Sequence, residues 1–367
     1  MQNDIVQQLE QRLGRVHARQ RLGIEHDHEA IFGHGINFFH PENWYSGHAA
    51  LRLLLKLTGL YRRGNNNTTR IQIRHNHVFL PGLPPLFDGF TILHLTDLHA
   101  DMNPRPMQRL IELLPTLQYD LCVLTGDFRG KTFGPFHAAL HALAQARLHL
   151  HGPVFAVLGN HDSIRMLPAI EAMGIRMLLN ESTSITRGDQ HLYLAGIDDA
   201  HYYRADNIHN AAANIPPHAT AILLSHTPEV YRQAAHAGFH LMLSGHTHGG
   251  QVCLPGSIPI TLDSRLPRHL GAGPWSYATM HGYTSVGLGS SIVPVRFNCP
   301  PEITLHHLHP ALSKDAPADA AGKTPPTAPP RLRRTTPPLP PSPPPASAPA
   351  SSTPAAETAT PESDPAP

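Results

Sequence analysis

The chain has 367 residues and carries 28 Lys+Arg against 27 Asp+Glu, a formal charge of +1. A balance this close to neutral argues against a nucleic-acid partner, which would call for a clear basic surplus. Charged residues are only 15 %, whereas prolines (38) and histidines (29) are abundant, so their placement along the chain carries the information.

Residues 1–48 open on a polar stretch with no charged-then-apolar leader. Their histidines (His17, His26, His28, His34, His40 and His48) show no recurring ligand spacing, and no chemical role is assigned to this segment. The most apolar early run, 51–60, is interrupted by Arg52 and Lys56 and is about half the roughly 20 residues a membrane span needs. Residues 49–63 instead predict a short amphipathic helix ending in Tyr61-Arg62-Arg63. Such a helix either lies in a bilayer interface as a peripheral contact or packs on the rest of the protein through its leucines. The Gly64-Asn65-Asn66-Asn67 run then predicts a turn. Cys122, Cys253 and Cys299 are widely separated, with neither disulfide nor thiolate-zinc spacing. That usage fits a reducing compartment, hence a cytoplasmic location that extends to the inner face of the membrane.

From about residue 85 short apolar runs alternate with helical stretches, the signature of an α/β fold. Residues 90–96 lead into Asp97 and His99, and 121–125 into Gly126-Asp127. Residues 154–158 lead into Gly159-Asn160-His161-Asp162, 221–224 into Ser225-His226, and 241–243 into Ser244-Gly245-His246-Thr247-His248. Helices are expected over 107–117, 136–148 and 228–237, and a further one to residue 173 behind Ser163 as N-cap. Five strands thus deliver Asp, Asn or His at their carboxyl ends, where α/β sheets bind ligands.

Carboxylate oxygen, amide oxygen and imidazole nitrogen without thiolate suit Mn, Fe, Zn or Ni. Asp97, His99, Asp127, Asn160, His226, His246 and His248 exceed the needs of one ion and suit two, with a carboxylate shared between them; Asp127 is the central candidate. Two such ions make a hydroxide near neutral pH, orient a phosphate and stabilise its transition-state charge.

At these residues the chain resembles the calcineurin-like metallophosphoesterase superfamily: Asp97-x-His99, Gly126-Asp127, Gly159-Asn160-His161-Asp162, Ser225-His226 and Gly245-His246-x-His248 occur in the family's order. The likeness extends over about 83–308, including His246-Thr-His-Gly-Gly-Gln251, Gly287-Leu-Gly289, Pro294-x-Arg296-Phe297 and Pro301-Glu302-Ile303. There it is similar to a branch of membrane-associated bacterial phosphodiesterases and hydrolases of UDP-2,3-diacylglucosamine in lipid A biosynthesis. The resemblance implies a four-layer α/β/β/α sandwich. It also implies two divalent ions, Mn first, the first held by Asp97, His99, Asp127 and His248 and the second by Asp127, Asn160, His226 and His246. His161 would act on the phosphoryl group or leaving oxygen, with Asp162 orienting its imidazole and Asn160, His161 and Arg129 contacting substrate. The implied activity is hydrolysis of a phosphodiester or pyrophosphate bond, on a substrate that extends to lipid-linked ones. Roles for Asp198 and Asp199 stay open, and Arg265 and Arg268 are candidates for an anionic headgroup.

Residues 311–367 hold 17 prolines among Ala, Ser and Thr, a composition that predicts disorder with polyproline II character. Arg331, Arg333 and Arg334 ahead of Pro337-Pro338-Leu339-Pro340-Pro341 resemble a ligand for a Pro-binding domain. The expected organisation is an extension (1–82), a catalytic domain (83–310) and this tail (311–367). A non-catalytic scaffold with the tail as bait is the alternative to an enzyme. The complete set of candidate metal ligands favours the enzyme.

Overall fold

Strands whose every residue is apolar are those buried on both faces. In the computed structural model, which describes residues 2–33 and 45–311, these strands form the middle of two six-stranded sheets. The first contains β1 (Gln72–Leu80), β2 (Thr91–Leu95), β3 (Leu121–Thr125), β4 (Val154–Val157) and β5 (Arg176–Met177). The second contains β6 (Glu181–Arg187), β7 (Gln190–Gly196), β8 (Ala221–Leu224) and β9 (Leu241–Ser244). After a small hairpin of β10 (Cys253–Leu254) and β11 (Ile258–Pro259), it is completed by β12 (Gly273–Tyr277) and β13 (Met280–Thr284). The last strand, β14 (Glu302–Pro310), returns to the first sheet and inserts between β1 and β2. Strands β2 to β5 run parallel to one another, as do β7, β8, β9 and β13.

The helices are α1 (Gln2–Leu13), α2 (Arg15–Phe32), α3 (Tyr45–Leu57), α4 (Leu60–Asn67), α5 (Pro104–Leu113), α6 (His137–Arg147), α7 (Leu167–Ala172), α8 (Ile208–Ala212) and α9 (Tyr231–His236). Period-two alternation assigns each strand residue to a layer. Ile92, Val123 and Phe155 meet Ile222, Leu224 and Leu243 between the sheets. Leu93, Leu95 and Leu124 face Leu110 of α5, Leu143 of α6 and Ile170 of α7. Leu223 and Met242 face Tyr231 and Ala234 of α9. The result is the expected α/β/β/α sandwich. Each such leucine or isoleucine contributes about 1.5–3 kcal/mol on burial.

The region ahead of the sandwich differs from expectation. All nine residues of β1 pair in parallel with β14, from Gln72↔Glu302 to Leu80↔Pro310, so a boundary at 82/83 cuts through a sheet. Helices α1 and α2 also join the outer core, with Leu9 and Ala18 fully buried. The helix expected over 49–63 is two helices, broken at Gly59 in the left-handed conformation (φ 72°). The asparagine run is helical rather than a turn: it belongs to α4, where the Asn65 and Asn67 amides donate to the Pro294 and Arg296 carbonyls at 2.9 Å each. Among the described residues, no helix is long and apolar enough to cross a membrane. The Pro-rich segment from residue 312, with its candidate Pro-domain ligand, lies outside the described residues, as do His34 and His40.

Buried ions anchor the N-terminal helices. Arg21 is fully buried, 2.5 Å from Glu25, 3.4 Å from Asp198 and 3.1 Å from the Asp162 carbonyl, with its guanidinium 3.5 Å from the centre of the Tyr203 ring. Arg12, partly exposed, pairs with Glu171 and Glu181. Removing one partner of a buried pair strands the other charge. Arg21→Ala therefore lowers the unfolding free energy by about 3–5 kcal/mol in urea titration, whereas Arg12→Ala costs about 1 kcal/mol or less because solvent screens its pairs. Equal, small losses for both would remove Arg21 as the anchor.

Candidate metal centre

The carboxyl ends of β2, β3, β4, β8 and β9 open on one edge of the sandwich. Each loop there must turn sharply to aim a side chain back across the strand ends. Five of the seven expected ligands take left-handed backbone to do so: Asp97 (φ 52°), His99 (40°), Asp127 (55°), His246 (70°) and His248 (51°). This conformation costs a non-glycine residue roughly 1–2 kcal/mol. The loops hold one another in place: Asp97 N–H donates to Gly126 O, His99 N–H to Asp127 O, and Gly245 N–H to His226 O, at 2.8–3.0 Å. Gly159 has to be glycine because a Cβ there would lie 2.6 Å from the Asp127 amide nitrogen.

All seven residues converge as two donor sets. In the first, His99 Nε2 lies 3.0 Å from His248 Nε2, which is 3.5 Å from Asp97 Oδ1. In the second, Asn160 Oδ1 lies 2.9 Å from both His226 Nε2 and His246 Nδ1. Asp127 Oδ2 joins them, 3.7 Å from His99 Nε2 and 3.3 Å from His226 Nε2. Its other oxygen accepts the His161 N–H at 2.9 Å, so a single carboxylate oxygen faces both sets.

The chemistry of this donor set fits two cations. The Nδ1 atoms of His99 and His226 lie 2.9 and 2.7 Å from the Arg129 and Thr125 carbonyls and must donate there, which leaves both Nε2 lone pairs directed inward. Bare His99 Nε2 thus faces a His248 nitrogen in one set, and in the other His226 Nε2 faces the Asn160 oxygen, which takes a metal ion or a proton between them. His246 turns Nδ1 into the second set, and burial keeps its ring neutral and able to ligate. Burial opposes charge on Asp127, yet His226 and His161 hold its carboxyl well below the usual range. Burial likewise opposes a proton on His226, but the Asp127 carboxylate holds its pKa up at about 10. Without an ion, that proton supplies the missing positive charge.

Comparison with known proteins agrees with this geometry. Residues 90–250, which carry all seven donors, match the family model for calcineurin-like phosphoesterases. These residues form a calcineurin-like metallophosphoesterase domain. The protein is a hydrolase acting on phosphoester bonds. It is 28 % identical to a Bacillus subtilis metallophosphoesterase, YkoQ, over 71 % of this chain and 98 % of that protein. It is also 28 % identical to the Escherichia coli phosphodiesterase YaeI, over 60 % and 82 %. A bovine transmembrane protein with a metallophosphoesterase domain is 29 % identical over 60 % of this chain and 53 % of its own length.

Around the phosphoesterase donors, two expected roles are corrected. Asp162 does not orient the His161 ring, whose Nδ1 meets Thr132 Oγ1 at 3.3 Å. Its carboxylate instead accepts the backbone N–H groups of Asp127, Phe128, Arg129 and Gly159 at 2.8–3.4 Å, joining the loops after β3 and β4. Arg129 is buried and turned from the centre, its guanidinium donating to the His161, Thr132 and Gly134 carbonyls, so it braces its loop rather than reaching a phosphate. Asp198 holds Arg21 and His17, and Asp199 accepts the N–H groups of His201, Tyr202 and Tyr203. Arg265 and Arg268 do not line the cavity over the donors.

Two supports were not anticipated. Arg296, fully buried, donates to the Val286, Gly287 and Gly289 carbonyls and lies 3.4 Å from His248 Nδ1. In the sequence Arg296 stands only in the Pro294-x-Arg296-Phe297 resemblance, with no role attached. His201, paired with Glu229 at 2.9 Å, packs its ring 4.2 Å from that of His246.

A cavity of about 410 Å³ sits over the donors. Its floor is Asp127, Asn160, His161, His246 and His248, and its walls are mostly apolar, formed by Leu51 and Leu55 of α3 with Val252, Ile260, Ile292, Val293, Val295 and Phe297. Gln251 holds one wall, its side chain bonding Ser291 and Val293 backbone at 2.7–3.0 Å.

Two expectations follow. Because His226 is protonated without metal, Mn²⁺ loading near pH 7 releases about one proton from it, and apparent affinity rises about tenfold per pH unit below pH 10. Calorimetry in buffers of different ionisation enthalpy reads this directly, and a buffer-independent heat would contradict it. Asp162→Ala frees four buried amides and weakens metal retention by about 10–100-fold, measured by metal content after dialysis. Full retention would show that the loops hold without it.

Proposed function

We propose that the protein is a two-metal phosphohydrolase that cleaves a phosphodiester or pyrophosphate bond in a substrate bearing an apolar chain, working at a membrane surface. The observation behind this reading is a cavity with the metal donors as its floor and aliphatic side chains as its walls. A phosphate group placed on the floor leaves its apolar substituent among Leu51, Leu55 and Val293. Helix α3 continues the apolar surface outward: Leu53, Leu54 and Leu57 are 58 %, 57 % and 78 % exposed. Beside them the exposed Arg52, Lys56, Arg62 and Arg63 complement anionic headgroups.

In this reading Asp97, His99, Asp127 and His248 hold the first ion, and Asp127, Asn160, His226 and His246 the second. Mn²⁺ is the first choice, since Fe, Zn and Ni share these donors and availability decides among them. When bound, the ions activate the water nucleophile and offset charge on the phosphoryl oxygens. Burial holds His161 at a pKa of about 3, hence neutral. With Thr132 Oγ1 on Nδ1, its Nε2–H is free to donate to a phosphoryl oxygen and orient it. Asn160 supplies its amide oxygen to the second ion and its amide N–H to substrate.

The test is hydrolysis of bis(p-nitrophenyl) phosphate and UDP-2,3-diacylglucosamine in parallel with added Mn²⁺. Both are expected to turn over, and Asp127→Asn to lose at least about 100-fold on each. Leu55→Asp is expected to lower kcat/KM about tenfold or more on the lipid and to leave the soluble diester within about twofold, one buried aliphatic contact being worth roughly 1.5–3 kcal/mol. Turnover of the diester alone would remove the apolar substrate and keep the phosphohydrolase.

A further inference from the structure

The two-metal centre accounts for four of the 29 histidines. Four others meet at the opposite end of the first sheet. Ile303 and Leu305 of β14 face the helix layer and are buried beneath it. His307 and His309, two and four residues further on, share that face but emerge from cover, and on β1 the exposed His75 and His77 lie alongside. No helix among the described residues covers them. The four rings form a ladder: His75 on His307 at 5.3 Å, His307 on His77 at 4.9 Å, and His77 on His309 at 5.3 Å, with interplanar angles of 6°, 24° and 16°.

The hydrogen bonds set which nitrogens are available. His309 Nδ1 is 2.9 Å from Asp88 Oδ1, an acceptor, so this nitrogen carries the proton and Nε2 is bare. Thr91 Oγ1 donates to the Gly89 carbonyl at 3.1 Å and therefore accepts from His307 Nδ1 at 3.0 Å, leaving that Nε2 bare as well. Each bare Nε2 faces a partner nitrogen at 3.0 Å: His307 toward His75 Nδ1, and His309 toward His77 Nδ1. Two imidazole nitrogens bound to one ion at about 2.0–2.1 Å in adjacent positions lie about 2.9–3.4 Å apart. The spacing already fits, and an oxygen behind each outer imidazole is the arrangement that fixes a metal-binding tautomer.

We propose that His75, His77, His307 and His309 form a surface site for a divalent transition-metal ion of the imidazole-preferring kind, Zn²⁺, Ni²⁺ or Cu²⁺. The ion takes the place of the proton between the rings of one histidine pair, that proton moving to the solvent-facing Nε2 of the β1 histidine so that both ligands stay neutral, and water completes its coordination. Two dications one ring spacing apart would repel, so the ladder takes one ion. Nitrogen-only donors select against Mn²⁺. The site is separate from the catalytic one: His307 pairs with Thr91 at the start of β2, and Asp97 lies beyond its other end, about 20 Å away along an extended strand.

The experiment compares Zn²⁺ binding by the full chain and by His75→Gln/His77→Gln and His307→Gln/His309→Gln, each of which breaks both pairs, using equilibrium dialysis and elemental analysis. Differences between proteins, rather than totals, exclude ions held at the catalytic centre or by other surface histidines. At least one variant should bind one Zn²⁺ fewer per chain, or bind that ion at least tenfold more weakly. Its Mn²⁺-supported diesterase rate and melting curve in the absence of Zn²⁺ should match the parent's, which excludes misfolding. In Cu²⁺ titrations the corresponding nitrogen-coordinated paramagnetic resonance signal should be lost. Equal Zn²⁺ stoichiometry and affinity in all three proteins would overturn the proposal.

Discussion

The catalytic edge depends on one carboxylate that faces no substrate. Asp162 gathers four backbone N–H groups from the loops after β3 and β4, and those loops carry Asp127 and Asn160. Left-handed backbone at Asp97, His99, Asp127, His246 and His248 costs roughly 1–2 kcal/mol per residue. Such strain persists only where the surroundings over-determine it. Here they do, through Asp162 below one pair of loops and Arg296 below His248 and the 287–289 segment. The two sheets then set the distance across which the loops meet. Donors from β8 and β9 reach those from β2, β3 and β4 because Ile222, Leu224 and Leu243 pack on Ile92, Val123 and Phe155 between the sheets.

This division explains what was legible in the sequence. A buried strand ending in Asp, Asn or His is a local pattern, so the seven donors and their strand ends could be read residue by residue. Asp162 and Arg129 stand in the same local motifs, but their partners are backbone atoms about thirty residues away or within their own loop. No side-chain pattern reports such partners, and a charged residue beside a metal motif suggests substrate contact by default. Strand β1 was hidden for a different reason. Its face toward the helices stays exposed from Ile73 to Phe79, so its residues lack the apolar density of the central strands. Its place in the sheet is decided by β14, more than two hundred residues later.

The N-terminal segment does two physically different things. Helices α1 and α2 are held by buried charge, with Arg21 bonded to the Asp162 carbonyl while the Asp162 carboxylate holds the ligand loops. That places one buried cation on the same residue whose carboxylate constrains the centre. Helix α3 has no comparable ion pair among the described residues. It meets the sandwich through Leu51 and Leu55 at the cavity wall and leaves its other leucines to solvent. A rigid anchor and a lightly held apolar wall are what the proposed apolar substrate would call for, a fixed donor set with room for a chain beside it.

The histidines show how one side chain serves three environments. At the centre, neighbouring carbonyls hold Nδ1 protonated so that Nε2 can ligate. On the outer ladder, Thr91 and Asp88 perform the same orienting task in partial solvent. Between them lie His306 and His94, fully buried and 3.2 Å apart, with Asn76 on one side and Thr125 Oγ1 on the other. Burial pushes His94 down to about 3, so it remains neutral and acts as a bridging amide would. Thr125, which meets His94 through its hydroxyl, accepts the Nδ1–H of His226 through its carbonyl. Hydrogen bonds therefore cross the core from Asn76 on β1 to the Thr125 hydroxyl, and the backbone carbonyl of the same threonine holds His226 at the metal centre; without them the ring nitrogens of His306 and His94 would be stranded between two apolar sheets.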